Sequence, residues 1–107
     1  IVIIAEVLEH IEDLESQSKE IFRILKPGGK VIATVPYDTN LSFWKPLFAV
    51  QCFYRGQILG EDYYKQACGH INHFSPKSIA DIFIKNGFKI VRQINHYFFT
   101  IVTVATK

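Results

Sequence analysis

Two short apolar runs, Ile1 to Ala5 and Val31 to Val35, frame a helix-period segment that stops at Lys26-Pro27-Gly28-Gly29. No other feature of the chain constrains its fold as tightly. Strand, helix and strand in this order make a crossover, and a crossover of this kind joins parallel strands. A continuous apolar run of this length is the pattern of a strand covered on both faces. Ligands of open α/β sheets sit beyond the carboxyl ends of the strands. There the first run gives way to the polar cluster Glu6, Glu9 and His10. Between the runs, Leu14, Ile21, Phe22, Ile24 and Leu25 fall mostly on one helical stripe, with Ser18 filling its gap. Glu12, Asp13 and Glu15 crowd the start of that helix, where the dipole is positive. Pro27 cannot continue it, and the glycines after Pro27 can take the positive φ that ends it.

The middle of the chain is different. Leu41, Phe43, Trp44, Leu47, Phe48, Val50, Phe53 and Tyr54 make an aromatic-rich segment, expected as one helix over 43–56. Lys45, Pro46, Gln51 and Arg55 interrupt it too often for a membrane span. It reads as a lid helix packed on the core, with contact to a membrane surface as the alternative. Ser75-Pro76 then starts a helix as N-cap and first helical residue. Ile79, Ile82 and Phe83 line one face of it, and Asn86-Gly87 closes it. The β-rich runs Phe88 to Ile94 and Tyr97 to Thr106 are parted only by Asn95-His96, a connection short enough to force an antiparallel pair.

At 107 residues and 49% hydrophobic content, the chain suits one domain or a piece of one. A net charge of +2 does not demand a nucleic-acid partner, although it is unevenly spread: net −4 over residues 1–25 and +6 over the remainder. Cys52 and Cys68 are isolated, as expected of reduced thiols in the cytoplasm. There is no signal-peptide pattern and no apolar run of spanning length. Ile1 opens inside an apparent strand, so an excerpt or a truncated product is expected.

The wording Ala5-Glu6-Val7-Leu8-Glu9-His10, the turn Lys26-Pro27-Gly28-Gly29 and the strand ending at Pro36 resemble the middle of a class I S-adenosylmethionine-dependent methyltransferase. The likeness runs over essentially the whole chain and is weakest over 37–69. It implies a partial Rossmann-like α/β fold. Of the family's strand order 3-2-1-4-5-7-6 this chain would supply 4-5-7-6, the last strand antiparallel, with 37–69 inserted as an aromatic cap. Residues 1–107 would thus be the C-terminal half of a methyltransferase domain. The glycine-rich cofactor loop and the acidic ribose-binding strand belong to the half that is not present. The resemblance further implies S-adenosylmethionine as cofactor and methyl transfer to a small-molecule acceptor, with oxygen as the expected atom, active only together with the missing half. Ala5, with Glu6 beside it, matches the position that touches the cofactor mainly through its backbone.

Several side chains are candidates for the chemistry. If a helical turn begins near Glu6, the spacing i, i+3, i+4 puts Glu6, Glu9 and His10 on one face, able to hold Mg²⁺. A polar strand-to-helix turn explains the same residues without an ion. The pattern also looks like the metal-binding turn of ubiquinone-biosynthesis O-methyltransferases and of small-RNA 3′-terminal 2′-O-methyltransferases. In the second branch a downstream His completes the site, and His73 is the nearest candidate. His73 is equally a candidate base for an acceptor hydroxyl. Tyr37 and Asn40, after the second strand, and Phe48 and Tyr54, in the cap, are candidates to face the acceptor. Two rival functions stay open: a non-enzymatic interaction module derived from a methyltransferase, and a metal-dependent RNA 2′-O-methyltransferase. Residues 1–5 carry no Lys, Pro or inward charge, so an unprotected strand edge there would favour self-association.

Overall fold

The computed structural model describes residues 1–40 and 42–107; Leu41, counted above in the aromatic segment, lies outside them. One sheet has the order β1-β2-β4-β3, with β1 at Val2–Ala5, β2 at Lys30–Pro36, β3 at Lys89–His96 and β4 at Thr100–Thr106. β1 runs parallel to β2, Val2 beside Val31 and Ala5 beside Thr34. β4 is antiparallel to both of its neighbours. The crossover and an antiparallel closing hairpin are present and the order is 4-5-7-6 in the longer numbering, but the hairpin turns at residues 97–99 and not at Asn95-His96, which pair within β3.

Local chemistry accounts for the helices. α1 (Leu14–Ile24) is capped by Asp13, whose carboxylate accepts from the Ser16 N–H at 2.9 Å. At its other end Lys107 Nζ donates to the carbonyls of Phe22 and Leu25, at 2.6 and 2.8 Å, satisfying acceptors the helix leaves over. α4 (Pro76–Lys85) starts at a reciprocal capping box between Ser75 and Ser78. It ends at Gly87, where φ is +89° and a Cβ would meet the Phe22 ring at 3.2 Å. That position thus requires glycine both for conformation and for space.

The core lies between these two helices and one face of the sheet. Val31, Ala33 and Val35 on β2, and Ile101, Thr103 and Ala105 on β4, are each at most 1% exposed. They pack with Ile21, Leu25, Ile79, Phe83 and Phe88. The other face stays open in this chain: Ile3 is 70% exposed and Ile94 39%. β1 is thus not covered on both faces as its apolar run suggested; Val2 and Ile4 reach the core, and Ile3 does not.

Between β2 and α4 the chain leaves the sheet and returns to it. Tyr37 and Phe74 form a parallel bridge, and the Asp38 N–H donates to the Phe74 carbonyl at 3.0 Å, closing the neck of the excursion. Inside it, α2 (Trp44–Cys52) continues as a π-helical turn, Phe53–Ile58, slightly past the expected end at 56. The short helix α3 (Asp62–Lys65) packs against that turn at Gly56, where a Cβ would lie 3.1 Å from the Lys65 nitrogen. Arg55 ties the two together, donating to Glu61 and to the Tyr64 hydroxyl. No residue of α2 is buried, and Leu47, Val50 and the flanking Phe43 are more than half exposed. The expected lid helix is present, but it stands over the sheet end instead of sinking into the core. No helix among the described residues is long and apolar enough to cross a membrane.

Candidate functional site

At the carboxyl end of β1 the backbone turns sharply: Glu6 has φ +52°, a left-handed conformation uncommon for a residue with a side chain. That turn breaks any helix starting at Glu6. A 3₁₀ turn forms instead at Leu8–His10 and buries Leu8 and Glu9. The Glu9 carbonyl accepts the N–H groups of Ile71 and Asn72, at 2.9 and 3.0 Å. The Asn72 side-chain amide donates to the carbonyls of Leu8 and Ile11, at 3.1 and 2.6 Å. A segment some sixty positions downstream is thereby laced to the turn after β1, bringing His70 and His73 to the sheet's ligand end.

Two constellations result. In the first, Glu9, His10 and His70 each offer a ligand atom, all within 4.8 Å of one another. Glu9 is 1% exposed and its Oε2 has no hydrogen-bond partner. Burial pushes its carboxyl above the ordinary range, with the nearby Glu6 adding to the effect. His10 Nδ1 lies 3.0 Å from the Gly69 carbonyl, so it carries the proton and donates, which leaves the Nε2 lone pair free. His70 is half-buried, its Nδ1 is unpartnered, and burial followed by the neighbouring His10 holds it below its ordinary pKa, in its neutral form. A buried acceptor without a donor and two imidazoles with free lone pairs fit a divalent cation.

The ligand set differs from the expected one. Glu6 lines the same cavity but is not part of the cluster, because its left-handed backbone takes it out of the turn that carries Glu9 and His10. The downstream His beside them is His70, not His73.

The second constellation is Asp38 with His73. Asp38 follows β2, is 6% exposed, and its Oδ2 is bonded to His73 Nδ1. A carboxylate acceptor fixes the proton on Nδ1, so Nε2 presents a lone pair, and the His73 side chain is 63% exposed. His70 and His73 lie three positions apart in one segment, so the two constellations are neighbours.

A cavity of about 390 Å³ opens beside the first cluster, walled by Glu6, Glu9, His10 and His70 and roofed by Trp44, Phe48, Tyr63 and Tyr64. Phe48, singled out in the cap, lines this cavity. Tyr54 is 53% exposed and does not line the cavity; Tyr37 is buried and stacks on Phe98. Ala5 is exposed at the open end of β1. Its side chain stops at Cβ and leaves its backbone approachable. Asp38 and Asn72 escaped the sequence reading; the signal for Asn72 was the polar run Gly69 to His73, in which two His and one Asn lie within four positions. A larger cleft of about 540 Å³, at the Ile24–Gly29 turn, lies at the opposite end of the strands and contains no acid or His.

Residues 1–93 match the family model described as a methyltransferase domain. Among solved structures, one from Thermotoga maritima, described as an S-adenosylmethionine-dependent methyltransferase and possible histamine N-methyltransferase, is 21% identical with a TM-score of 0.67, over 98% of this chain and 54% of that one. An S-adenosylmethionine-dependent methyltransferase from Mesorhizobium loti is 12% identical with a TM-score of 0.65, over 98% and 60%. A chain of the Haloferax volcanii complex that contains the Trm112 methyltransferase activator is 18% identical with a TM-score of 0.66, over 98% and 52%. This chain spans between half and two thirds of the length of these three. No curated protein matches the sequence.

Proposed function

The chain belongs to the methyltransferase-domain family of the class I fold, and we propose that, within the whole protein, it supplies the acceptor side of a methyl transfer from S-adenosylmethionine to an oxygen of a small molecule in the cytoplasm. The observation that carries this reading is the Asp38–His73 pair at the ligand end of the sheet. When bound, S-adenosylmethionine supplies an electrophilic methyl on a sulfonium. The backbone at Ala5 and Glu6 would take one side of that cofactor. Phe48 and its aromatic neighbours would hold the acceptor and keep water from it. His73 Nε2 would take the hydroxyl proton, and Asp38 would keep the imidazole in the right tautomer and steady the positive charge it gains. Alignment supplies most of the acceleration in such a transfer, so the base is an aid and not the whole of the mechanism.

In the whole protein, His73→Ala should lower kcat by roughly 10²-fold or more, and Asp38→Asn by less, with the KM for S-adenosylmethionine unchanged in both. Full activity in His73→Ala would defeat this assignment.

A second reading is favoured by the Glu9, His10 and His70 cluster: metal-dependent 2′-O-methylation of an RNA terminus. These three residues would hold the ion. Two imidazoles and one carboxylate suit Mn²⁺, Co²⁺ or Zn²⁺ better than the Mg²⁺ expected above, which prefers oxygen ligands. Activity on an RNA 3′ end, abolished by chelator and restored by Mn²⁺, would select this reading over the first.

A further inference from the structure

Three rings stack on the cavity side of the cap. Trp44 and Phe48, one helical turn apart on α2, have centroids 4.2 Å apart and planes inclined by 20°. The His70 ring lies against both, 5.5 Å from Trp44 and 5.2 Å from Phe48, with interplanar angles of only 9° and 11°. His10 meets the same imidazole edge-on at 4.8 Å. We propose that Trp44 and Phe48 are positioning residues for His70, so that a divalent ion held by Glu9, His10 and His70 fastens the α2 cap over the cavity. The inference rests on the ion reading given above.

The argument is one of ring geometry. An imidazole binds a metal through a lone pair in the plane of its ring, so aromatic contacts on its face restrict the plane without blocking the ligand atom. His70 sits outside any regular helix or strand, and its Nδ1 is unpartnered. Metal-bound His normally has its ring oriented by a hydrogen bond from the other nitrogen. His10 has such a bond, to the Gly69 carbonyl, whereas His70 has the aromatic stack instead. The converse follows by linkage. If the stack raises ion affinity, the ion must stabilise the stack by the same factor. α2 buries no residue, so this stack is a substantial part of what holds it down.

The test uses Zn²⁺ and the whole protein that carries this chain. Calorimetry measures Zn²⁺ affinity, and amide hydrogen exchange follows residues 44–52 with and without the ion. The expected result is tight binding in the parent protein and slower exchange across α2 when Zn²⁺ is added. Phe48→Ala and Trp44→Ala should each weaken binding by roughly 10–100-fold, the range for lost outer supports of a ligand. Both should also abolish the protection of α2, and Trp44→Phe, which keeps an aromatic face, should restore most of each. Unchanged exchange in β2 and β4 certifies that the variants are folded. Failure of the parent protein to bind Zn²⁺ would remove the ion reading itself and this inference with it. Undiminished affinity in the alanine variants, or α2 exchange indifferent to bound Zn²⁺, would overturn the inference and leave the ion site standing.

Discussion

The sheet with α1 and α4, and the excursion from Tyr37 to Phe74, solve the problem of staying folded in different ways. The first region buries aliphatic side chains and phenylalanine against β-branched strands, and its helices are capped at both ends by local or nearby polar groups. The second has scarcely any buried apolar side chain on its helices. It is held by stacked rings, by Arg55 bridging to Glu61 and Tyr64, and by the amide of Asn72. Dry packing is insensitive to ligands, whereas stacked and polar contacts around a cavity are the kind a bound molecule can complete. The contrast teaches that the dry core and the lining of the cavity are carried here by largely separate residues, joined at the neck, at the lacing of residues 69–72 to the turn after β1, and where Phe43 meets Phe98.

Three substitutions would break or sharpen that contrast. Phe83→Ala removes a ring that is 1% exposed in the core of the first region. It should cost about 3–5 kcal/mol, read as a lowered urea midpoint; a loss below about 1 kcal/mol would mean that the core is not where the stability resides. Asn72→Ala deletes two partly buried hydrogen bonds, to the carbonyls of Leu8 and Ile11. The expected cost is smaller, about 1–3 kcal/mol. Exchange of the Ile71 and Asn72 amides, which donate to the Glu9 carbonyl, should accelerate while β4 stays protected. Equal acceleration in both places would show that the two regions melt as one.

The smallest effect belongs to Glu15, which links α1 to α4 through Lys85 and also pairs with Lys19. Hydrogen bonds from Lys19 and then Lys85 hold its carboxyl at about 2, below the usual 4.5. The folded form thus favours the ionised state. Its contribution is present above the unfolded value and is lost as the pH falls from there toward about 2. Being exposed, the pair is worth little. Glu15→Gln should lower Tm slightly at neutral pH, with the difference vanishing in acid; a difference that grows on acidification would contradict the assignment.

The elements that were legible in the chain are those whose determinants lie within one turn of themselves. Ser75-Pro76 and Asn86-Gly87 marked helix ends because a cap is a local event, the acids at 12, 13 and 15 marked another through the helix dipole, and β2 announced itself because β-branched residues suit a strand covered on its working face. The site was harder to read. Glu9 and His10 could be singled out, but their third companion depends on where the chain returns after the cap. His70 and His73 are three positions apart and chemically alike, and only the hydrogen bonds of residues 71 and 72 to Glu9 decide which one faces the cluster and which faces Asp38. Likewise, the exposure of Ile3 follows from what packs against β1, which its own residues do not encode.

The bridge between Tyr37 and Phe74 has an evolutionary reading as well as a structural one. Because the excursion starts and ends at one point on the sheet, the backbone at its neck already satisfies itself, whatever lies beyond. The closure entropy of such a loop grows only logarithmically, about 0.6 kcal/mol for each doubling of its length. The part of the excursion between Asp38 and Gly69 can therefore be lengthened or rewritten while the strands keep their register, provided that Asp38 and the segment from Gly69 to His73 keep their bonds. An insert tethered at one point in this way can change its own length and sequence without renegotiating the stability of the sheet.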